Sequence, residues 1–430
     1  MRRLLQYGLR FLGLVVGLVL WRGPAAARPP APTLPPDWET DPPGLLISVG
    51  ADNGAKGPTV QHAPDGMEVL IAFVQEGNTD FDRDPTYSRS ADGGLTWSAP
   101  APIYQSPGVD SIQVTAAYDT AAGLAHAAWV ENMALLYASE TNWPNAAVPI
   151  SSPNPPGVSD PVLIASAAGY LNLVWAEDEG SNPDIRFARS LDGGATWPIL
   201  ETVAATTASS LTPDVAVDDQ GLIHVVWQES VPPHMTNILY SQGAAAGLNV
   251  AWSAPVAITG DLSEVRQPRI LAVGNELHVT YTTFAEGAQQ WIHHVVCATQ
   301  CSDPTNWQDV GNPISGQAMG ANASDPYEVT SSLAYANDCL YVYFHGTEPN
   351  SAYPDNEVIS GVNSCDGWSA NGRDRVTEPQ TRAIFPSIAI LADRLLLTYE
   401  WVNGGDHQIY LMRADLPPDY LYLPVIVRNP

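Results

Sequence analysis

Three glutamates stand at one repeated place in the chain. Glu131, Glu177 and Glu229 each lie two residues beyond a tryptophan (Trp129, Trp175, Trp227) that ends a strand-like run. Carboxylates that recur at one structural position can do three kinds of work. They can gather as oxygen ligands of a hard cation such as Ca2+. They can serve as the paired acids of glycoside hydrolysis, or they can accept backbone N–H bonds from an adjacent unit. Cations accompany them: Lys56 and Arg266 stand two residues before Pro58 and Pro268, and Arg269 and Arg382 lie near the same repeated place. A guanidinium offers a two-pronged fork to a carboxylate, whereas an ammonium offers a point charge. A mouth built from these groups is mixed in sign.

The elements that must hold these residues repeat. Pro58, Pro161, Pro213, Pro268, Pro326 and Pro386 each precede an apolar strand, and Ile112 takes that place in the second unit. An aromatic residue follows 13 to 18 residues later: Phe73, Trp129, Trp175, Trp227, Tyr281, Phe344 and Tyr399. A third series, Trp97, Trp143, Trp197, Trp252, Trp307 and Trp368, closes the units. Each unit reads as four strands and about 50 residues, the size of one propeller blade. The seventh unit lacks a fourth strand, and Leu45-Leu46-Ile47-Ser48-Val49 is a strand without a unit. The expectation is an all-β, seven-bladed β-propeller over residues 44–415 whose ring the N-terminal strand closes. Six blades with an irregular extra unit is the alternative.

Two of the turns share one phrase, Ser-x-Asp-Gly-Gly-x-Thr-Trp, at residues 90–97 and 190–197. Asp92 and Asp192 can accept backbone N–H bonds just downstream, with Ser90, Ser190, Thr196 and Thr96 adding hydroxyls. Gly94 and Gly194, with the glycines before them, supply positive φ, and Trp97 and Trp197 fold back onto the sheet. The phrase resembles the Asp box, or BNR repeat, of the sialidase-like β-propellers. In that family the box is a structural turn on the face away from the site, so function belongs to the opposite mouth. The resemblance implies an exo-sialidase-type glycoside hydrolase as one reading. Tyr327 is then the nucleophile by strand position, Glu229 its activating partner, and Asp82 or Asp84 the acid/base. The family's first carboxylate-binding arginine is replaced here by Lys56, and its usual ring has six blades. The leading reading is therefore a propeller that binds an extracellular glycan or glycoprotein at the central mouth, through Lys56, Arg266, Arg269, Arg382, Glu131 and Glu177. A purely structural or protein-contacting propeller is the third. No cofactor is expected, although the acidic series leaves Ca2+ open.

The termini and composition frame these readings. Arg2, Arg3 and Arg10 precede an apolar stretch from Phe11 to Trp21 and the small residues Ala25-Ala26-Ala27, the pattern of a secretory signal peptide over residues 1–27. That stretch is too short to span a bilayer. Residues 28–43 read as a proline-rich linker, and residues 416–430 as a tail. The chain carries 18 Lys and Arg against 46 Asp and Glu. Such acidity excludes nucleic acid as a partner and fits a secreted, monomeric protein. In that compartment the four cysteines are expected as disulfides, Cys297–Cys301 replacing a box turn and Cys339–Cys365 spanning a hairpin. Their spacing lacks the paired C-x-x-C form of a zinc site.

Overall fold

The computed structural model describes residues 38–416, apart from segments that include 50–53, 78–81, 152–156, 260–263, 312–318, 321–329, 348–352 and 365–367. The expected signal peptide and the tail beyond Leu416 lie outside the described residues. The chain forms a seven-bladed β-propeller. Six blades follow in chain order from first strands at Lys56–His62, Ser111–Asp119, Gly157–Ala165, Ser209–Val217, Val265–Val273 and Ser331–Ala336. The seventh combines Arg382–Ile390, Arg394–Asn403 and Asp406–Asp415 with Leu45–Leu46, which pairs antiparallel with the last of these, Leu45 opposite Leu411. The N-terminal strand therefore closes the ring. Met319–Gly320 links blades five and six by pairing with a strand of each.

Each blade buries both faces of its second strand, and the aromatic series fills those layers. Phe73, Trp129, Trp175, Trp227, Phe344 and Tyr399 are all fully buried. A four-stranded sheet cannot cover two apolar faces alone, so each blade depends on its neighbours. The clusters are accordingly shared: Tyr137 and Leu135 of blade two pack with Leu171, Leu173 and Trp175 of blade three. The box tryptophans act at the same seams. Trp143 packs on Tyr87, Trp197 on Tyr137, Trp252 on Phe187 and Trp307 on Tyr240, with ring centroids 4.9–5.1 Å apart. In every pair the tryptophan reaches back to the third strand of the preceding blade.

The two repeated turns are built alike. Ser90 Oγ donates to Asp92 Oδ1 at 2.7 Å and accepts from Gly94 N at 2.8 Å. Asp92 also accepts from Thr96 N at 2.8 Å and Thr96 Oγ1 at 2.5 Å. Ser190, Asp192, Gly194 and Thr196 repeat the pattern within 0.2 Å. These bonds hold the Asp92 and Asp192 carboxyls below the usual range, Asp92 chiefly through the Thr96 hydroxyl. In blade five the Cys297–Cys301 disulfide replaces the box, and Trp307 Nε1 donates to Cys301 O at 2.9 Å. Cys339 is also disulfide-bonded; its expected partner, Cys365, lies outside the described residues.

The N-terminal segment and the seam between blades seven and one carry further ties. Trp38 to Pro43, the end of the expected linker, run along blade seven. Glu39 pairs with Arg413 at 2.8 Å, and Tyr399 Oη donates to Pro43 O at 2.6 Å. Across the same seam, Ser387 Oγ accepts Val60 N at 3.1 Å. Replacing Ser387 with alanine leaves that N–H without its acceptor and should lower stability by about 1 kcal/mol. Guanidinium titration of the tryptophan fluorescence reads this directly. An unchanged midpoint would mean that the seam does not use the bond.

Candidate functional site: the central mouth

The first strands surround a central cavity of about 650 Å3. A common irregularity shapes its wall. In six blades the first strand carries a register shift, between Lys56 and Thr59, Ile112 and Thr115, Ser159 and Val162, Leu211 and Asp214, Arg266 and Arg269, and Ile384 and Ser387. One residue inside each shift takes a left-handed conformation with φ of 48–59°: Gly57, Gln113, Asp160, Thr212, Gln267 and Phe385. All six line the cavity. A bulge re-aims a side chain without ending the strand, and a non-glycine residue at positive φ costs on the order of 1 kcal/mol. Five blades accept that strain at Gln113, Asp160, Thr212, Gln267 and Phe385, and blade one avoids it with Gly57.

This alignment corrects two sequence assignments. In blade two the proline place is held by Val114, after Gln113, and not by Ile112. In blade six it is held by Ser331: Ser332 Oγ accepts Ile388 N from blade seven, as Ser387 Oγ accepts Val60 N from blade one. The signal was present in the spacing. Ile112 and Pro326 precede their aromatics by 17 and 18 residues, whereas the other five intervals are 13 to 15. Tyr327 was placed by that register, and it lies outside the described residues.

Bonds between blades fix the wall. Gln113 Nε2 donates to Asp160 Oδ1 at 3.1 Å, and Asp160 N donates to Gln113 Oε1 at 3.1 Å. Ser159 Oγ donates to Asp160 Oδ2 at 2.9 Å. Leu163 N donates to Thr115 Oγ1 at 3.2 Å, and Ile270 N to Asp214 Oδ2 at 2.8 Å. Glu400 accepts from Gly57 N at 3.1 Å and contacts His407 Nδ1 at 2.5 Å. Burial in the lumen pushes the Asp160 and Asp214 carboxyls up. Ser159 Oγ–H does most to pull Asp160 back, and the Arg269 guanidinium most for Asp214.

The expected site residues divide. Lys56 and Arg269 line the cavity. Lys56 is the one lysine of the chain, and among the described residues it has no ion-pair partner. Arg266 pairs with Glu264 at 3.7 Å and Arg382 with Glu357 at 2.6 Å, and neither lines the cavity. Glu131, Glu177 and Glu229 also stand off it. Each accepts the indole N–H of its own strand's tryptophan, at 3.4, 2.6 and 3.0 Å. Ser210 Oγ adds a bond to Glu229 at 2.6 Å, and Ser106 Oγ one to Glu131 at 2.7 Å. Indole and hydroxyl donors thus take the place of the backbone donors expected for them. Asp82, just before the third strand of blade one, and Asp84, within it, accept Val109 N and Ser106 N from the loop that leads to blade two. Among the described residues no three acidic, histidine or cysteine side chains gather as metal ligands, and no helix is long and apolar enough to cross a membrane. Lining residues beyond the expected ligand contacts include Arg83, Gln113, Asp160, Thr212, Asp214, Gln267, Ser331, Ser332, Phe385 and Glu400.

No known family matches the sequence, and neither does any curated protein. Solved structures do match in fold. A protein of unknown function from Dyadobacter fermentans superposes with TM-score 0.52 at 13% identity, over 87% of this chain and 99% of the other. A PL25 ulvan lyase gives 0.54 at 11% identity, over 85% and 94%. The NanB sialidase of Streptococcus pneumoniae gives 0.48 at 12% identity, over 88% and 71%. At such identities the likeness is one of fold.

Proposed function

We propose that this propeller is a secreted binding protein that takes an extracellular glycan into its central mouth. One observation carries the reading. A cavity of about 650 Å3 is ringed by left-handed bulge residues, mostly polar and locked by bonds between blades. Ligand pockets of this size with a few fixed polar groups suit a small polyhydroxylated molecule. Groups held in place before binding lose little entropy on contact. Of the four expected cations only Lys56 and Arg269 line the cavity, which holds for the glycan and sialidase readings alike, and Tyr327, on which the sialidase reading depends, lies outside the described residues.

The single lysine supplies a probe. A glycan that fills the mouth should protect Lys56 from an amine-reactive ester, read by mass spectrometry of the peptide that contains it. The full secreted chain, screened on a glycan array, should retain a discrete set of glycans. Those glycans should slow Lys56 labelling at least tenfold. Retention without protection would place binding elsewhere, and no retention at all would end the glycan reading.

A further inference from the structure

Away from the mouth, the seam between blades three and four buries a positive charge for which the described residues supply no acid. Arg89 and Arg189 hold one repeated place, each immediately before the serine of a box turn. Their surroundings differ. Arg89, its side chain 27% exposed, pairs at 2.5 Å with Glu140 of the following blade. Arg189 is only 7% exposed. Its guanidinium lies 4.9 Å from the centre of the Tyr170 ring, and Nη1 reaches Gly247 O of blade four at 3.5 Å. Arg189 Nε is buried and has no hydrogen-bond partner among the described residues. Burial accordingly lowers the Arg189 pKa, whereas the bond to Glu140 raises that of Arg89. An arginine stays charged at any working pH, and a buried charge without a counter-charge is strongly destabilising.

The place of the missing acid can be located. In blades two and four the third strand carries a buried tyrosine, Tyr137 or Tyr240, bonded to a histidine Nδ1 of the second strand at 2.7 and 2.8 Å. Three residues beyond that tyrosine stand Glu140 in blade two and Gly243 in blade four. Gly243 leaves no room for an acid, since a Cβ there would fall 2.4 Å from Val250 Cγ1 and 2.9 Å from the Trp252 ring. Glu201, an acid of the same seam, is engaged by Val250 N and Trp252 Nε1 at 2.9 and 3.1 Å.

Directly across the strand pair from Arg189 stands Asn172. Residues opposite one another in an antiparallel pair share a face, with Cβ atoms about 5 Å apart. Asn172 is fully buried, and neither its Oδ1 nor its Nδ2 has a partner among the described residues. Buried polar groups are nearly always satisfied, so these two side chains call for a species that both can reach. A water molecule would bond to them and leave the charge uncompensated. A divalent anion would leave a net negative charge in the same buried place. A monovalent anion accepts from the guanidinium and the amide N–H groups and cancels the charge.

We infer that a halide ion, chloride in ordinary media, binds between blades three and four on Arg189 and Asn172, in the role that the Glu140 carboxylate plays between blades one and two. This site belongs to the fold and is independent of what the mouth takes. An ion that binds the folded chain alone raises stability with its own concentration.

The test is thermal unfolding of the full secreted chain in sodium chloride, with sodium gluconate holding the ionic strength constant. The melting temperature should rise by about 3–6 °C as chloride goes from nil to about 0.3 M. Arg189→Met should lose that response. Asn172→Asp, which puts a carboxylate beside the guanidinium, should lose it too and should melt above the native chain when chloride is absent. Near-UV circular dichroism confirms that each variant is folded. A native melting temperature that ignores chloride would overturn the site and leave the two side chains to water. An undiminished chloride response in the folded variants would overturn it as well, by placing the ion elsewhere. Bromide diffraction from crystals of the native chain needs no variant: the anomalous peak should lie within about 3.5 Å of Arg189 Nε, and its absence there would overturn the assignment.

Discussion

Gly194→Ala should destabilise the propeller by about 3–4 kcal/mol, while Gly193→Ala, one residue earlier in the same turn, should cost only about 1 kcal/mol. Both glycines have positive φ, 66° at Gly193 and 84° at Gly194, so both substitutions incur the left-handed penalty. They differ in what the added methyl meets. At Gly193 nothing lies within 4 Å, whereas at Gly194 the new Cβ falls 1.6 Å from Tyr137 Oη, an impossible distance. Tyr137 cannot step aside cheaply. It is buried, stacked near His126, bonded to His126 Nδ1 at 2.7 Å and set edge-on to Trp197. Gly94 is the intermediate case, its Cβ meeting the flexible end of Leu396 at 3.0 Å. The expected order of melting temperatures is therefore native, Gly193→Ala, Gly94→Ala, Gly194→Ala. At roughly 2 °C per kcal/mol for a chain of this size, the last should melt about 6–8 °C below the native protein. Equal melting temperatures for Gly193→Ala and Gly194→Ala would show that the turn is not packed against the preceding blade.

Stability should also fall steeply in mild acid, and His294 should account for much of it. Trp368 Nε1 donates to His294 Nδ1 at 3.2 Å, so the neutral ring carries its proton on Nε2, 3.1 Å from His278 Nδ1. His278 Nε2 in turn lies 3.2 Å from Glu276. A second proton on His294 would face the tryptophan N–H. Burial, and then the neighbouring His278, push its pKa from 6.5 down to about 3. Burial likewise lowers His126, His224, His278 and His293. The unfolded chain therefore takes up protons below pH 6.5 that the folded chain refuses. Stability is full above that pH and is lost as pH falls toward the folded values. Between pH 6.5 and 4 His294 alone accounts for about 3 kcal/mol. Asp160 and Asp214 work in the opposite sense, since their raised values favour the folded state as pH falls, and they blunt the loss without reversing it. Denaturant midpoints measured from pH 7.5 to 4 should decline, and His294→Gln, which keeps an acceptor for Trp368, should flatten the decline by about one proton. Parallel profiles for the two proteins would refute the role of His294.

The periodic features of this fold were legible because each has a local cause. Proline at strand starts, an aromatic in each second strand and tryptophan after each turn recur because every blade solves the same burial problem. Counting those series was enough to give seven blades, and the spare strand at Leu45–Leu46 had one unit left to complete. The two box turns were equally readable, since their bonds run between residues no more than four apart. The mouth was not legible in the same way. Its side chains are aimed by bulges whose place is marked by backbone conformation and not by residue type, so an apolar Ile112 and an early Pro326 passed for the marker. Glu131, Glu177 and Glu229 recur in sequence as a catalytic series would, yet the recurrence comes from one indole N–H that each must satisfy. Arg266 and Arg382 are held by acidic partners off the cavity, while Gln113, Thr212 and Phe385 carry no chemical signal until the ring brings them together. The chain alone determined the repeat, the turns and the closing strand. Which residues share the lumen was decided by tertiary structure, because the bulges of six separate blades meet there only after the ring has closed.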